Sequence, residues 1–404
     1  IFALDITDPD SFSASNVLWD FDSTHASFGD LGYTLGEATI ARMPDGHFYA
    51  IFGNGYQSSS GNAVLYAVNL NGSNTVLSIV LEASSGTNGL SSPLPVDADG
   101  DKIVDAIYAG DLLGNMWKVE MRTSGSVELV SAFPQGSGAP EPLFTATQTG
   151  DATVRQPITA QPEAGRNDEG GTMIYFGTGK YFEVGDNDVT TPKLQTFYGI
   201  RDNGSQVVRT NLIQQTINAE DSTTFALLTG LNVRLTSDKD VDYTGSTEGW
   251  FMDLGLFDSS NADPANHFTA TIGERVINQP ILRGDRVIFT TLIPAAEACG
   301  FGGSSWLMEI DAQTGSRLAE TPFDANGDGY FTDADKVSVT VNNVTTLISL
   351  SGFQKQGLGM FDNPAILEGS KKEVKVLGGS SGGIDSVLES KSNDGGRQSW
   401  QQLQ

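Results

Sequence analysis

Six segments of this 404-residue chain close on one pattern, an aromatic side chain among apolar residues, then an acid or amide, then a turn. They read IFALDITD at 1–8, VLYAVNLNG at 64–72, NMWKVEM at 115–121, TFYGIRDNG at 196–204, GWFMDLG at 249–255 and SWLMEIDAQTG at 305–315. Two of the apolar runs that precede them, FYAIFGNGYQ at 48–57 and MIYFGTGKYF at 173–182, enter an F-G-x-G turn, and RVIFTTLIP at 286–294 stands in the equivalent place. Self-similar strand units of about 40–50 residues are what four-stranded blades of a β-propeller show. A β-sandwich also alternates strands but needs no such internal likeness. The 47 glycines agree with many short strands joined by tight turns, because glycine supplies the positive φ those turns need. Helical signal is sparse, the best being one or two turns around 221–231. The reading is an all-β propeller domain over 1–384 with loop insertions. The polar, weakly patterned stretch 385–404 is read as a loosely packed C-terminal extension.

Fifty Asp and Glu against 23 Lys and Arg give a formal charge of −27. That field repels phosphate backbones, so nucleic acid is not an expected partner. The acids are locally clustered, which points to cation binding as well as solubility. Cys299 is the only cysteine, so neither an intrachain disulfide nor an all-cysteine metal site can form. No window approaches the roughly 18 apolar residues of a membrane span, and the chain opens on IFALDI without a basic leader region, so it reads as a fragment or processed product of something longer.

The strongest local signal is DADGDKIVD at 97–105, with carboxylates on Asp97, Asp99, Asp101 and Asp105. A tight loop turns alternate side chains toward one centre, and Ca²⁺ takes six to eight oxygens, so the Ile103 carbonyl is expected to complete the protein's share. Mg²⁺ suits such a loop less, because it keeps its waters and demands a smaller octahedron. Four converging carboxylates repel one another without a cation, so the loop is expected to be ordered only when filled and to loosen without metal. A second loop, DANGDGYFTDAD at 324–335, follows the EF-hand ligand order with Asp324, Asn326, Asp328, the turn Gly329, the Tyr330 carbonyl, Thr332 and Asp335. Asp335 replaces the usual Glu and no helical pair flanks the loop, so it reads as an inserted calcium loop outside any EF-hand domain.

Other motifs are plainer. RGD at 283–285 lies in LRGDRV, where Gly284 and Asp285 suit a hairpin turn between ILR and RVIF. FGTGKY lacks the spacing of a phosphate loop and the Ser or Thr after Lys180. His25, His47 and His267 are scattered, and no catalytic constellation is marked, so the chain is not expected to be an enzyme.

With those residues in hand, the chain resembles the C-terminal propeller of the PilC/PilY family of type IV pilus tip-associated adhesins. The likeness is carried by IFALDITDP, LGYTLGEATIARMPDGHFYAIFGNGY, NGLSSP, VDADGDKIVDAIYAGDLLGNMWKVEM, FGTGKYFEVGDN, QTFYGIRD, GGSSWLMEIDAQTG and the terminal GRQSW. The resemblance implies a modified, roughly seven-bladed propeller with a calcium loop leading into the YAGDLLGN strand, its ligands falling on Asp97, Asp99, Asp101, Ile103 and Asp105. It also implies a place at the pilus tip or cell surface, possible outer-membrane association, partners among minor pilins of the tip complex and a host-surface receptor, and a calcium-linked role in pilus biogenesis, the extension–retraction balance and twitching motility. Lys102 stands where these loops often carry Gly, and the family's N-terminal region, often with a von Willebrand A-like domain, is outside this sequence.

Two other readings follow from the same blades. A quinoprotein-like propeller oxidoreductase would bind a quinone above calcium and commonly shows paired cysteines, and a chromophore in the visible spectrum would reveal it. An integrin-like ligand-binding propeller would use its calcium loops only to stiffen blades.

Overall fold

The computed structural model describes residues 1–83, 86–136, 138–191, 193–258, 268–269, 273–295, 301–341 and 343–391. His267, Cys299 and GRQSW at 396–400 therefore lie outside the described residues. The chain is all-β, and among the described residues its only α-helical turn is Ala226–Thr229, inside the 221–231 window. Two compact units result, Ile1–Leu112 with Trp117–Glu141, and Leu113–Met116 with the described residues from Pro142 onward.

The repeated pattern maps onto real strands. The six closing segments fall on Phe2–Leu4, Ala63–Asn69, Asn115–Arg122, Thr196–Asp202, Gly249–Phe257 and Leu307–Asp311. Each of the three apolar runs pairs antiparallel with the closing strand that follows it: Phe48–Gly53 with Ala63–Asn69, Thr172–Gly177 with Thr196–Asp202, and Arg286–Thr290 with Leu307–Asp311.

In the first unit, Thr39–Arg42, Phe48–Gly53, Ala63–Asn69 and Val76–Glu82 form a four-stranded sheet in sequence order. Tyr49, Ile51, Leu65 and Ala67 face one apolar cluster with Ile107, Trp117 and Val119, while Ala50, Phe52, Val64, Tyr66 and Val68 face another with Phe28 and Leu31. A sheet buried on both faces needs continuous apolar runs, which is why FYAIF and VLYAV do not alternate with polar residues. The next hairpin, Leu94–Val96 with Ala106–Gly110, pairs Val96 with Ala106 and so leaves 97–105 as its connecting loop. Behind it, Asp111 is fully buried and accepts hydrogen bonds from Asn88 Nδ2 and Trp117 Nε1, both at 2.9 Å.

In the second unit one large sheet runs through three closing strands, and Val287 and Phe289 point into one cluster while Ile288 points into another. Trp250 is fully buried and shows why Gly199 of TFYGIRD and Gly315 of DAQTG are glycines. A Cβ on Gly199 would lie 2.5 Å from its indole, and one on Gly315, whose φ is +67°, 2.3 Å from it. The expected extension from 385 is corrected at its start. Ile384–Ser390 is a strand paired along its whole length with Lys372–Gly378, and the buried Val387 and Glu389 alternate with Ile384, Ser386 and Leu388 on its more open face.

Candidate metal centre

The loop 97–105 is built by its own side chains. Asp97 Oδ1 accepts from Gly100 N and its Oδ2 from Lys102 N, both at 2.7 Å. Asp99 Oδ1 accepts from Asp101 N at 3.0 Å, Asp101 Oδ1 from Ile103 N at 2.7 Å, and Asp105 Oδ2 from Ala98 N at 2.7 Å. These bonds turn the backbone through left-handed conformations at Gly100, with φ +85°, and at Lys102, with φ +70°. The turn brings carboxylate oxygens of Asp97, Asp99 and Asp105 within 4.8 Å of one another. Asp101 stands outside this grouping, its Oδ1 committed to Ile103 N. Val104 is buried behind the loop, and the Val104 and Asp105 amides donate to the Arg42 and Val96 carbonyls at 2.9 Å, fixing where the loop leaves the sheet.

The loop 324–335 repeats the same turn. Asp324 Oδ1 accepts from Gly327 N and its Oδ2 from Gly329 N, at 2.9 and 2.8 Å. Asn326 Oδ1 accepts from Asp328 N and Asp328 Oδ1 from Tyr330 N, both at 2.8 Å. Gly327 and Gly329 take φ +76° and +81°, the places of Gly100 and Lys102 in the first loop. The last acid comes later here. Asp335 is fully buried, its Oδ1 accepting from Ala325 N and Asn326 N and its Oδ2 from Thr332 N. Burial pushes its carboxyl above the ordinary range, more than the amides of Thr332 and Asn326 pull it down. The Thr332 hydroxyl caps the 3₁₀ turn Asp333–Asp335 through Ala334 N at 3.2 Å, so it enters the loop as a cap as well as a candidate ligand. Lys372 donates to the Gly329 carbonyl and lies 5.5 Å from the centre of the exposed Tyr330 ring. No helix pair flanks the loop: Phe323 bridges to Glu389 before it, and the strand Val337–Val341 follows.

Both donor sets are oxygen only, with acids at alternate positions, and a hard cation of Ca²⁺ size suits them better than a thiolate- or imidazole-seeking metal. Lys102 is the poor fit, since a left-handed non-glycine residue costs roughly 1–2 kcal/mol and its side chain adds a positive charge next in sequence to Asp101. Lys102→Gly is therefore expected to raise calcium affinity at the first loop, with a small gain in melting temperature in calcium-containing buffer; calorimetry showing weaker binding would contradict this.

The remaining candidates do not converge. His25 accepts from Ser27 N at 3.3 Å, and His47 pairs with Asp45 at 3.1 Å. Gly284 and Asp285 form the two-residue loop of a hairpin in which Arg283 pairs with Arg286, and the Arg283 guanidinium is held by Glu373 at 2.8 Å. Lys180 of FGTGKY pairs with Glu183 and Asp186. Sequence reading missed two buried charge clusters in the second unit. One is Arg234 with Glu274 and Glu220, and the other is Lys375 between Glu309 and Glu389.

Residues 1–229 match the family model described as the PilY1 beta-propeller domain. The chain belongs to this family. A type IV pilus biogenesis factor PilY1 homolog of Xylella fastidiosa is 38% identical over 328 residues, covering 78% of this chain and 21% of the relative. The PilY1 of Pseudomonas aeruginosa strain PAO1 is 31% identical over 387 residues, covering 89% of this chain and 31% of the relative. The crystal structure of the P. aeruginosa PilY1 C-terminal domain superimposes with a TM-score of 0.74 at 27% identity, over 96% of this chain and 77% of that one. The chain thus spans about a fifth to a third of the length of the curated relatives it matches. The fold is that of the PilY1 β-propeller, as the repeated strands implied.

Proposed function

We propose that this chain is a calcium-binding module of type IV pilus biogenesis, built on a modified, roughly seven-bladed propeller and working as an adhesin and regulator at the pilus tip. The observation that carries the reading is the turn at 97–105, which gathers Asp97, Asp99 and Asp105 at the tip of a hairpin in a PilY1-family chain. Asp101 and the Ile103 carbonyl extend that oxygen set, and 324–335 supplies a second site of the same turn geometry. The bound ion would neutralise the acids and hold the loop shape. Minor pilins of the tip complex and a host-surface receptor are the partners, and the action is binding rather than catalysis.

Two measurements test this. Calorimetry should give two calcium sites, falling to one with Asp328→Ala; a single site unaffected by that change would leave 324–335 as an ordinary turn. In a host whose pili retract, Asp105→Lys should bias surface piliation toward the calcium-filled state, because an ammonium among Asp97, Asp99 and Asp101 offsets their repulsion, while Asp105→Ala should bias it the other way. Equal phenotypes at equal abundance and export would reduce the ion to a structural staple.

A further inference from the structure

Lys375 has no exposed side-chain surface, and neither do Glu309 and Glu389, the two carboxyls its ammonium hydrogen-bonds, while a third, Glu373, lies 3.7 Å from it. Lys375 and Glu389 sit on neighbouring antiparallel strands, where Lys375 faces Val387 and Glu373 faces Glu389, so the two are diagonal neighbours on one face of the sheet. Glu309 reaches them from Leu307–Asp311, and its other oxygen is held by Arg286 Nη1 at 2.7 Å. The apolar neighbours Ile288, Leu307, Leu377 and Val387 close the surroundings.

The protons in this cluster are unevenly shared. Burial, with Glu309 beside it, holds the Glu389 carboxyl well above the ordinary range. Burial works the same way on Glu309, but Lys375 and Arg286 outweigh it and hold that carboxyl down at about 2. Glu389 Oε2 accepts from the Lys375 ammonium, while Glu389 Oε1 has no hydrogen-bond partner. A buried ion pair with an unsatisfied oxygen is a costly arrangement for a protein interior.

We propose that Lys375 and Glu389 condense to an intramolecular isopeptide bond, with Glu309 as the proton carrier. Transfer of a proton from Nζ to the Glu309 carboxylate leaves a neutral amine beside the Glu389 carboxylic acid. Nζ attacks Cδ of Glu389, the new N–C bond forms, and the C=O electron pair moves onto Oε1. Glu309 passes its proton to the Oε2 hydroxyl, the C–Oε2 bond breaks as the C=O re-forms, and Glu309 takes the second proton from nitrogen, so that one water is released and no redox partner is needed. Nitrogen takes the place of Oε2 and keeps a hydrogen bond to Glu309 as an N–H donor. The product removes one ion pair from the interior, and the oxygen without a partner belongs to a neutral amide. Its structural result is a covalent tie between the last two strands of the described chain.

The test needs no variant. Intact mass of the purified, denatured protein after incubation at neutral pH should be lower than the sequence mass by one water, and tryptic digestion should give one branched peptide joining Lys375 to Glu389. Glu309→Gln should leave the mass at its own sequence value, since Gln cannot carry the proton. A wild-type mass equal to the sequence mass overturns the proposal. So does loss of water without the branched peptide, because it places the dehydration elsewhere, and a bond that forms unchanged in Glu309→Gln overturns the role of Glu309.

Discussion

Asp97→Ala and Asp105→Ala should each weaken calcium binding at the first loop at least about tenfold, corresponding to ~1.4 kcal/mol. Each change deletes an oxygen ligand and a share of the attraction for the ion. It also deletes a structural acceptor, Asp97 for the Gly100 and Lys102 amides and Asp105 for the Ala98 amide, so the loop loses its template along with its charge. At free calcium a hundredfold above the dissociation constant, binding to the folded state alone contributes about 2.7 kcal/mol, of which a tenfold weaker site keeps about 1.4 kcal/mol, so the variants should lose about half of the calcium-dependent rise in melting temperature that the first loop gives. In chelator they should melt close to the parent. Unchanged calcium affinity in these variants, measured by calorimetry with the second loop disabled by Asp328→Ala, would remove the first loop as a site.

A larger loss is expected from Arg234→Met. Arg234 is enclosed, paired with Glu274 at 2.6 Å and with Glu220 at 2.7 Å, and its guanidinium lies 4.1 Å from the centre of the Trp306 ring. Removing the cation leaves the buried Glu274 carboxylate without its counter-charge, which typically costs about 3–5 kcal/mol. Replacing both partners, as Arg234→Met with Glu274→Leu, should recover more than half of that loss, because no unpaired charge is then left inside. Urea unfolding decides between the cases: a double variant as unstable as the single one would mean that Arg234 contributes through packing on Trp306 and not through its charge.

The strands were legible where burial on both faces forces long apolar runs, as in FYAIF, VLYAV and MIYF. The loops were legible for a different reason. Every side-chain hydrogen bond within 97–105 joins residues no more than seven positions apart, so the turn geometry is written in adjacent letters. Alternate spacing does not reveal which acids meet: oxygens of Asp97, Asp99 and Asp105 come within 4.8 Å of one another, a grouping that does not include Asp101. The Lys375 cluster was illegible because KEVKV reads as a half-solvated strand, and Glu309 is 66 positions away. The strand Ile384–Ser390 was lost for the same reason, since its partner strand, not its composition, makes it a strand.

The hairpin that carries 97–105 sets a limit on how far news of the ion can travel. Leu94–Val96 and Ala106–Gly110 are buried along their whole length, and Asp111 beyond them is clasped by Asn88 and Trp117. Fraying that starts at Asp97 or Asp105 meets closed packing within a residue or two, so amide exchange should quicken inside the loop and stay slow from Ala106 onward when calcium is withdrawn. A bound ion would then act as a local stamp on the surface, and a partner that senses it would have to lay its own atoms on the loop.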